Sequence, residues 1–508
     1  MSALALLTSA VAHAQWREFE PYRREFLTIG DYSDITAITA TTNFAYFAAA
    51  DGVLRWDIIN ERWIEPLDYA FGFFGREVRR LAVTFDDEKL WAETDQGVFL
   101  YERIFGSWDP VSDFPVAELK GELVAPEHLH IPPDDYSYLP DGLLLDFYGR
   151  RYQTGPILRD NSGYLWMGIE GLGPARSEIN GAPLELLPFG LLDRFVEALA
   201  ELDGRLVIGG RQESPGRSGL TLLDPQTGAF EYIEQGVDRD FPVTDILSLA
   251  ETDDELLVGS VEGLFVLDKN TYRVVDEYNR FSGLPHSQVN ALIGFGDTVF
   301  AGTQSGLAII SPDSSGAREI VGHALSFRAV YCLEPAYPSA ERRVTLGPRV
   351  RPRYVWVGAE SGAYRLDVSN FSLKKLNDPE FILNSPVHEI RLVGGNLWLL
   401  AEDGLVRVEL KTGVVESYPE FNNAGPDATL AVNNSLVAVG DSRGLAIFQY
   451  REDPGAAEDH APLTFRFSVI DGLPSNFITS LEFIGDFLWI GSDQGLCRFW
   501  WSDPSRIY

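Results

Sequence analysis

A short phrase recurs along the chain: an alternating apolar run, two or three polar residues, a glycine and a second apolar run. The clearest copies are LWIGSDQGL (488–496), VWVGAESGA (355–363), LLVGSVEGL (256–264), VFAGTQSGL (299–307) and LWLLAEDGL (397–405). Weaker copies are YFAAADGVL (46–54), LWAETDQGV (90–98), LWMGIEGLG (165–173), LVIGGRQESPGRSGL (206–220) and LVAVGDSRGL (436–445). The period of two predicts strands, and the polar residues with glycine predict the tight turn joining them. The turn glycines are Gly52, Gly97, Gly171, Gly219, Gly263, Gly306, Gly362, Gly404, Gly444 and Gly495; their spacing is about 40 to 56 residues, apart from one step of about 74. A repeat of that size is a supersecondary unit that buries its apolar faces only by stacking on its neighbours.

Inside the phrase, Trp91, Trp166, Trp356, Trp398 and Trp489 are followed two residues on by a position that is often glycine, as at Gly168, Gly358 and Gly491. Positions i and i+2 share one face of a strand, so each unit sets a bulky ring beside a gap. Neighbouring units can then interdigitate, a large group of one filling the notch of the next. Upstream of each phrase lies another alternating run, such as SQVNALIGFGD (287–297) or VHEIRLVGGN (387–396), and downstream a more polar one, such as TYRVVDEYNRF (271–281). Four short strands per repeat predict an all-β fold, a β-propeller of about ten four-stranded blades. The last copy ends with three of its strands, and QWREFEPYR (15–23) looks like the fourth. The expectation is one ring closed by pairing the N- and C-terminal strands, with two smaller propellers as the alternative.

Composition adds constraints. The formal net charge of −34 sets up a field that repels phosphate backbones and anionic headgroups, which excludes nucleic acid as a natural partner and favours cations or basic partners. Residues 1–14, MSALALLTSAVAHA, end in a small-x-small site and predict a signal peptide, with the propeller over 15–508 and export to the periplasm or exterior. No other segment approaches the ~18 apolar residues of a membrane span. The two cysteines, Cys332 and Cys497, lie three repeats apart and are expected as buried thiols, not a disulfide.

GLPSNFITSLEF (472–483) followed by LWIGSDQGL, and GLPHSQVNALIGFGDTVFAGTQSGL (283–307), resemble the two-component regulator propeller repeats of periplasmic sensor halves of hybrid histidine kinases. The likeness spans nearly the whole chain after residue 14. It implies a sensor-like or interaction fold; the chain as given has no transmitter and no immunoglobulin-like segment after the repeats.

Candidate sites follow from the repeat. The turn after the second strand gathers Asp95, Glu170, Glu262, Glu360, Glu402, Asp403, Asp441 and Asp493, an acidic crown suited to cations or a basic partner, although acidic residues are also ordinary turn chemistry. The loop leading into each first strand is expected on the same face, with Ser282, His286, Asp471, Ser475 and Asn476 as ligand contacts or as parts of a Gly-Leu-Pro turn. The long step contains an insertion at about 118–155, where His128 and His130 with Asp134 and Asp135 are weak metal candidates. There Arg150 and Arg151, between Tyr148 and Tyr152, offer an anion or sugar platform. Nucleophile-elbow, phosphate-loop and zinc-protease motifs are absent, and LDPQTGAF (223–230) with ELKTGVV (409–415) is too little to predict a quinone cofactor. No cofactor is expected beyond a divalent cation. The reading is a secreted non-catalytic propeller that binds a ligand or protein partner, peptide or glycan, on its loop face. The alternatives are a glycan- or peptide-active propeller enzyme using channel carboxylates or His128 and His130, and a purely structural surface protein.

Overall fold

The structure, a computed structural model, describes residues 26–68, 77–115, 121–125, 129, 131–132, 135–139, 141–178, 182–212, 217–236, 241–337, 351–376, 385–422, 425, 427–450 and 464–502. The segments expected as signal peptide and as closing strand, 1–14 and 15–23, lie outside these residues, as do His128, His130 and Asp134.

The protein is all-β, and ten antiparallel sheets are present among the described residues, eight of them made of four strands consecutive in the chain. Their first strands begin at Ala37, Val78, Phe195, Ile246, Val289, Val330, Val387 and Thr429. The last repeat contributes Ile478–Ile484, Phe487–Ser492 and Gly495–Trp500. The insertion adds strands at Glu122–Leu123, Tyr136–Tyr138 and Leu143–Asp146 to its repeat, giving a sheet of seven strands. Helix among the described residues is confined to 3-10 turns such as Pro419–Phe421 and Val469–Asp471.

The chain divides into two compact units: 1–192 with 221–232, and 193–220 with 233–508. The first unit centres on aromatic side chains. Phe47 packs edge-on against Trp63 and Trp166 with ring centroids 6.0 Å apart, and Trp56 meets Trp63 at 4.9 Å. Buried Asp160 accepts a hydrogen bond from Trp166 Nε1 at 2.8 Å and caps the turn at 162–164, which satisfies the one polar atom of that indole.

In the second unit, each first strand contacts the first strand of the next repeat, from Phe195–Leu202 through Ile478–Ile484, and this last strand contacts Phe195–Leu202. One device recurs at these contacts. A Cβ added to Gly209 would lie 2.4 Å from Ile246, to Gly259 2.9 Å from Val289, to Gly302 2.6 Å from Val330, to Gly440 2.4 Å from Ile478, and to Gly491 2.7 Å from Val196. At Gly358 the same test meets Val387 O at 2.7 Å. The notch expected from the sequence is therefore present, but its filler is a β-branched residue that opens the next first strand. Trp398 is buried against Tyr450 and Phe448 of the following repeat, with ring centroids 5.1 and 6.3 Å away, and Trp489 is likewise buried.

The two exceptions coincide. Leu400 stands where the other second strands carry the notch glycine, and the following repeat presents exposed Asp427 where the others present valine or isoleucine. A filled notch faces a missing knob. This circuit runs through seven first strands; the sequence reading was about ten blades, in one ring or in two smaller propellers.

The fold makes a direct prediction. Gly302→Ala should cost about 1–3 kcal/mol, because the new methyl overlaps Val330. Adding Val330→Ala should recover part of that loss, giving a non-additive double-mutant cycle in denaturant midpoints. Gly322→Ala, whose Cβ would make ordinary contact with Ile309 at 3.6 Å, should stay within about 0.5 kcal/mol of the parent.

Candidate functional site

Close packing at the notch has a consequence for the backbone. In six first strands of the second unit the ladder slips by one residue immediately after the knob: between Val196 and Ala198, Ile246 and Ser248, Val289 and Ala291, Val330 and Cys332, Val387 and Glu389, and Ile478 and Ser480. Each slip is a bulge, with two residues on one strand opposing one on its partner. The residues skipped by the ladder are Glu197, Leu247, Asn290, Tyr331, His388 and Thr479. The bulge also displaces the knob's carbonyl, and side chains of the preceding repeat reach it: Ser248 Oγ donates to Val289 O at 3.1 Å, Asn290 Nδ2 to Val330 O at 3.0 Å, and Thr479 Oγ1 to Val196 O. Serving these buried acceptors ties one bulge to the next.

All six bulges lie where the first strands begin, here termed the leading edge. The turns between second and third strands lie there too. The N–H of Gln304 donates to Gln288 O at 3.1 Å, that of Glu360 to Ala329 O at 2.9 Å, and that of Glu402 to Pro386 O at 2.9 Å.

Around the collar the chemistry is unequal. Tyr331 and His388 face one another with ring centroids 4.9 Å apart, and His388 Nε2 is buried with no hydrogen-bond partner. Burial lowers the His388 pKa, and the nearby carboxylates of Glu402 and Asp427 oppose that shift only in part. Burial raises Tyr331, and Glu360 and Glu402 add to it. Glu197 is also raised, first by burial, against Arg211 at 2.7 Å; Asp427 and Asp245 push the same way as burial. The Arg211 guanidinium in turn lies over the Phe195 ring, 5.2 Å from its centroid. The collar thus presents an imidazole whose protonation burial disfavours and whose Nε2 has no partner, a carboxyl whose ionisation burial disfavours, and the Tyr331 phenol. That set can hydrogen-bond a ligand. Cys332, next to the Tyr331 bulge, has its thiol pushed well above the ordinary value by burial, which leaves it a poor nucleophile.

The residues singled out from sequence are distributed as follows. Glu360 and Glu402 lie close enough to the collar to act on Tyr331 and His388. Glu262 and Asp403 are exposed in equivalent turns, and Asp493 Oδ1 is buried without a partner in its own. Asp441 is buried and holds Arg443 at 2.9 Å. Asp95 and Glu170 belong to turns of the first unit. His286 and Asn476 serve the loops themselves: His286 Nδ1 accepts from the Gln288 N–H at 3.0 Å, and Asn476 Oδ1 from the Val469 N–H at 2.9 Å. Ser282, Ser475 and Asp471 likewise bond to backbone within their loops. Arg150 is engaged inside its own hairpin, on Asp146 at 2.6 Å and over Tyr152 at 5.5 Å; Arg151 is exposed on the adjoining strand. Among the described residues no group of three His, Cys, Asp or Glu side chains could hold a metal ion.

Glu197, Asn290, Tyr331, His388 and Thr479 were not found from sequence. A signal was available: after each Val or Ile at the start of a first strand, the apolar alternation slips by one residue, as in FVEALAEL and FITSLEFI.

Antiparallel four-stranded sheets joined first strand to first strand define the β-propeller class. No family model matches the chain, and no curated protein matches it. Among solved structures, the extracellular domain of the putative one component system BT4673 from B. thetaiotaomicron matches at 13% identity, TM-score 0.45, over 93% of this chain and 71% of that one. PorZ, a surface component of the type-IX secretion system of Porphyromonas gingivalis, matches at 14% identity, TM-score 0.45, over 92% and 74%. The WD40 propeller of Doa1 matches at 14% identity, TM-score 0.42, over 62% and 94%.

The collar predicts a pH signature. His388 binds fewer protons folded than unfolded, so its contribution to stability is lost as pH falls below the ordinary histidine value of about 6.5. Glu197 has the opposite sign: its pKa is raised on folding, so its contribution declines as pH climbs from about 4.3. Chemical denaturation across pH should show His388→Gln flattening the slope below neutrality and Glu197→Gln flattening the mildly acidic limb.

Proposed function

We propose that the protein is an exported, non-catalytic propeller that binds a ligand or protein partner at the leading edge of its second unit. The observation that carries this reading is the collar of six bulged residues on one edge, with the His388 Nε2 left without a hydrogen-bond partner. Bulges re-aim side chains out of a ladder, and an unpartnered buried nitrogen is costly unless something completes it. The seven first strands in circuit support a seven-bladed ring for this unit, with the collar around one mouth of its axis. The small-x-small motif at residues 12–14 supports export, and no helix among the described residues is long and apolar enough to cross a membrane. The repeat's resemblance to sensor propellers supports recognition over turnover.

Incubation with a peptide and glycan panel, following melting temperature and product formation together, tests the reading. Stabilisation without turnover is expected. His388→Ala and Glu197→Gln should cut the ligand-induced shift by more than half while the variants still melt cooperatively. Turnover that disappears on changing Glu197 or His388 would overturn it.

A further inference from the structure

The leading edge carries a second feature that the collar does not use. Among the described residues of the second unit, the three most exposed large apolar side chains are Phe281, Ile470 and Phe327, at 101%, 91% and 88%, with Val275 next at 53%. All three lie in loops that lead into first strands, those beginning at Val289, Ile478 and Val330. Phe281 and Ile470 occupy the same place in two copies of the Gly-Leu-Pro loop, each two residues before its glycine.

These side chains are held outward by ordered backbone. Asn279 Oδ1 accepts from the Phe281 N–H at 2.8 Å, and Gly283 closes the loop at φ +105°. Phe327 sits at φ +64°, in the left-handed region that non-glycine residues seldom occupy, with its N–H on Ser305 O at 2.9 Å. Ile470 rides a 3-10 turn closed by reciprocal bonds between Ser468 and Asp471. Rigid display of apolar groups to water is the arrangement of interface anchors, which need little ordering when a partner arrives.

The charge around them selects the partner. Glu262, Glu360, Glu402 and Asp403 are exposed in the turns of the same edge, and the chain as a whole carries −34. Arg328 is matched by Glu360 at 3.9 Å, which leaves Arg280 as the local cationic exception. A second copy would bring the same excess of negative charge and be repelled.

Resting on the binding function proposed above, we infer that the leading edge docks a cationic polypeptide segment of a partner protein, its apolar side chains seated against Phe281, Phe327 and Ile470 and its lysines or arginines against the acidic turns. The probes are a synthetic amphipathic Lys/Leu peptide, a Lys/Ser peptide of equal charge and a Glu/Leu counterpart, titrated against the full chain by fluorescence anisotropy. The Lys/Leu peptide should bind at least tenfold more tightly than the Lys/Ser peptide, weaken as salt rises, and lose about tenfold or more on Phe281→Ser with Phe327→Ser and Ile470→Ser. The triple variant should melt with the parent, since the replaced groups touch water. Equal affinity for Lys/Leu and Lys/Ser, unchanged binding by the triple variant, or preference for Glu/Leu would each overturn the inference. So would concentration-dependent dimers abolished in the triple variant, which would assign the edge to a second copy. A glycan that stabilises parent and triple variant alike, and fails with His388→Ala, would overturn the polypeptide and leave the binding function standing.

Discussion

The notch is the constraint on which the second unit depends. A glycine in every second strand but the one carrying Leu400, set opposite a small residue of the first strand, opens a gap one side chain deep; a valine or isoleucine from the next repeat fills it. Ladder hydrogen bonds hold strands together within a sheet, while only scattered side-chain bonds such as Ser248 Oγ to Val289 O cross between sheets, so side-chain interdigitation must supply most of the cohesion there. The glycines tolerate no added carbon, because the atoms that would clash belong partly to backbone carbonyls and to stiff β-branched side chains.

The collar is a by-product of that packing. Driving a knob into the neighbouring sheet displaces the strand from its own ladder by one residue, and a bulge appears at every repeat that has a knob. At the single repeat where Leu400 fills the notch there is no knob to receive, and the following first strand, Thr429–Val432, pairs without a slip. The residue freed there is Asp427, exposed at the leading edge and close enough to act on both Glu197 and His388. The irregular repeat thus contributes charge to the collar in place of packing.

Much of this was legible in the chain. The strand-turn-strand phrase gave the sheets and their boundaries, since alternation and turn glycine are local properties of the residues that carry them. The notch was legible as a glycine two residues after a tryptophan, but its occupant was not, because the occupant comes from the next repeat and no local pattern says which residue crosses over. The collar was missed for a related reason. A bulge breaks the period of two, so Glu197 and His388 read as ordinary members of alternating strands once the slip is overlooked. His286, Ser282 and Asn476 were legible as polar residues of Gly-Leu-Pro loops, open to a ligand role or a turn role, and each makes a hydrogen bond that holds its loop in shape.

The repeats themselves separate what the fold requires from what it leaves open. The residue before each bulge is Val196, Ile246, Val289, Val330, Val387 or Ile478, always β-branched, and the residue after it is Ala198, Ser248, Ala291, Cys332, Glu389 or Ser480, small in all but one case. The exception is instructive: Glu389 pairs with Leu400, the one repeat without a notch glycine. Between these restricted neighbours the bulged residue is Glu197, Leu247, Asn290, Tyr331, His388 or Thr479, six side chains with no shared size, charge or polarity. Packing that were sensitive to this position would have narrowed it as it narrowed the flanks. The fold therefore restricts the flanks more tightly than the bulged residue itself, at the same six places where the backbone turns side chains toward one edge. A repeat architecture built this way can vary the chemistry of its leading edge residue by residue while the notch keeps the sheets together.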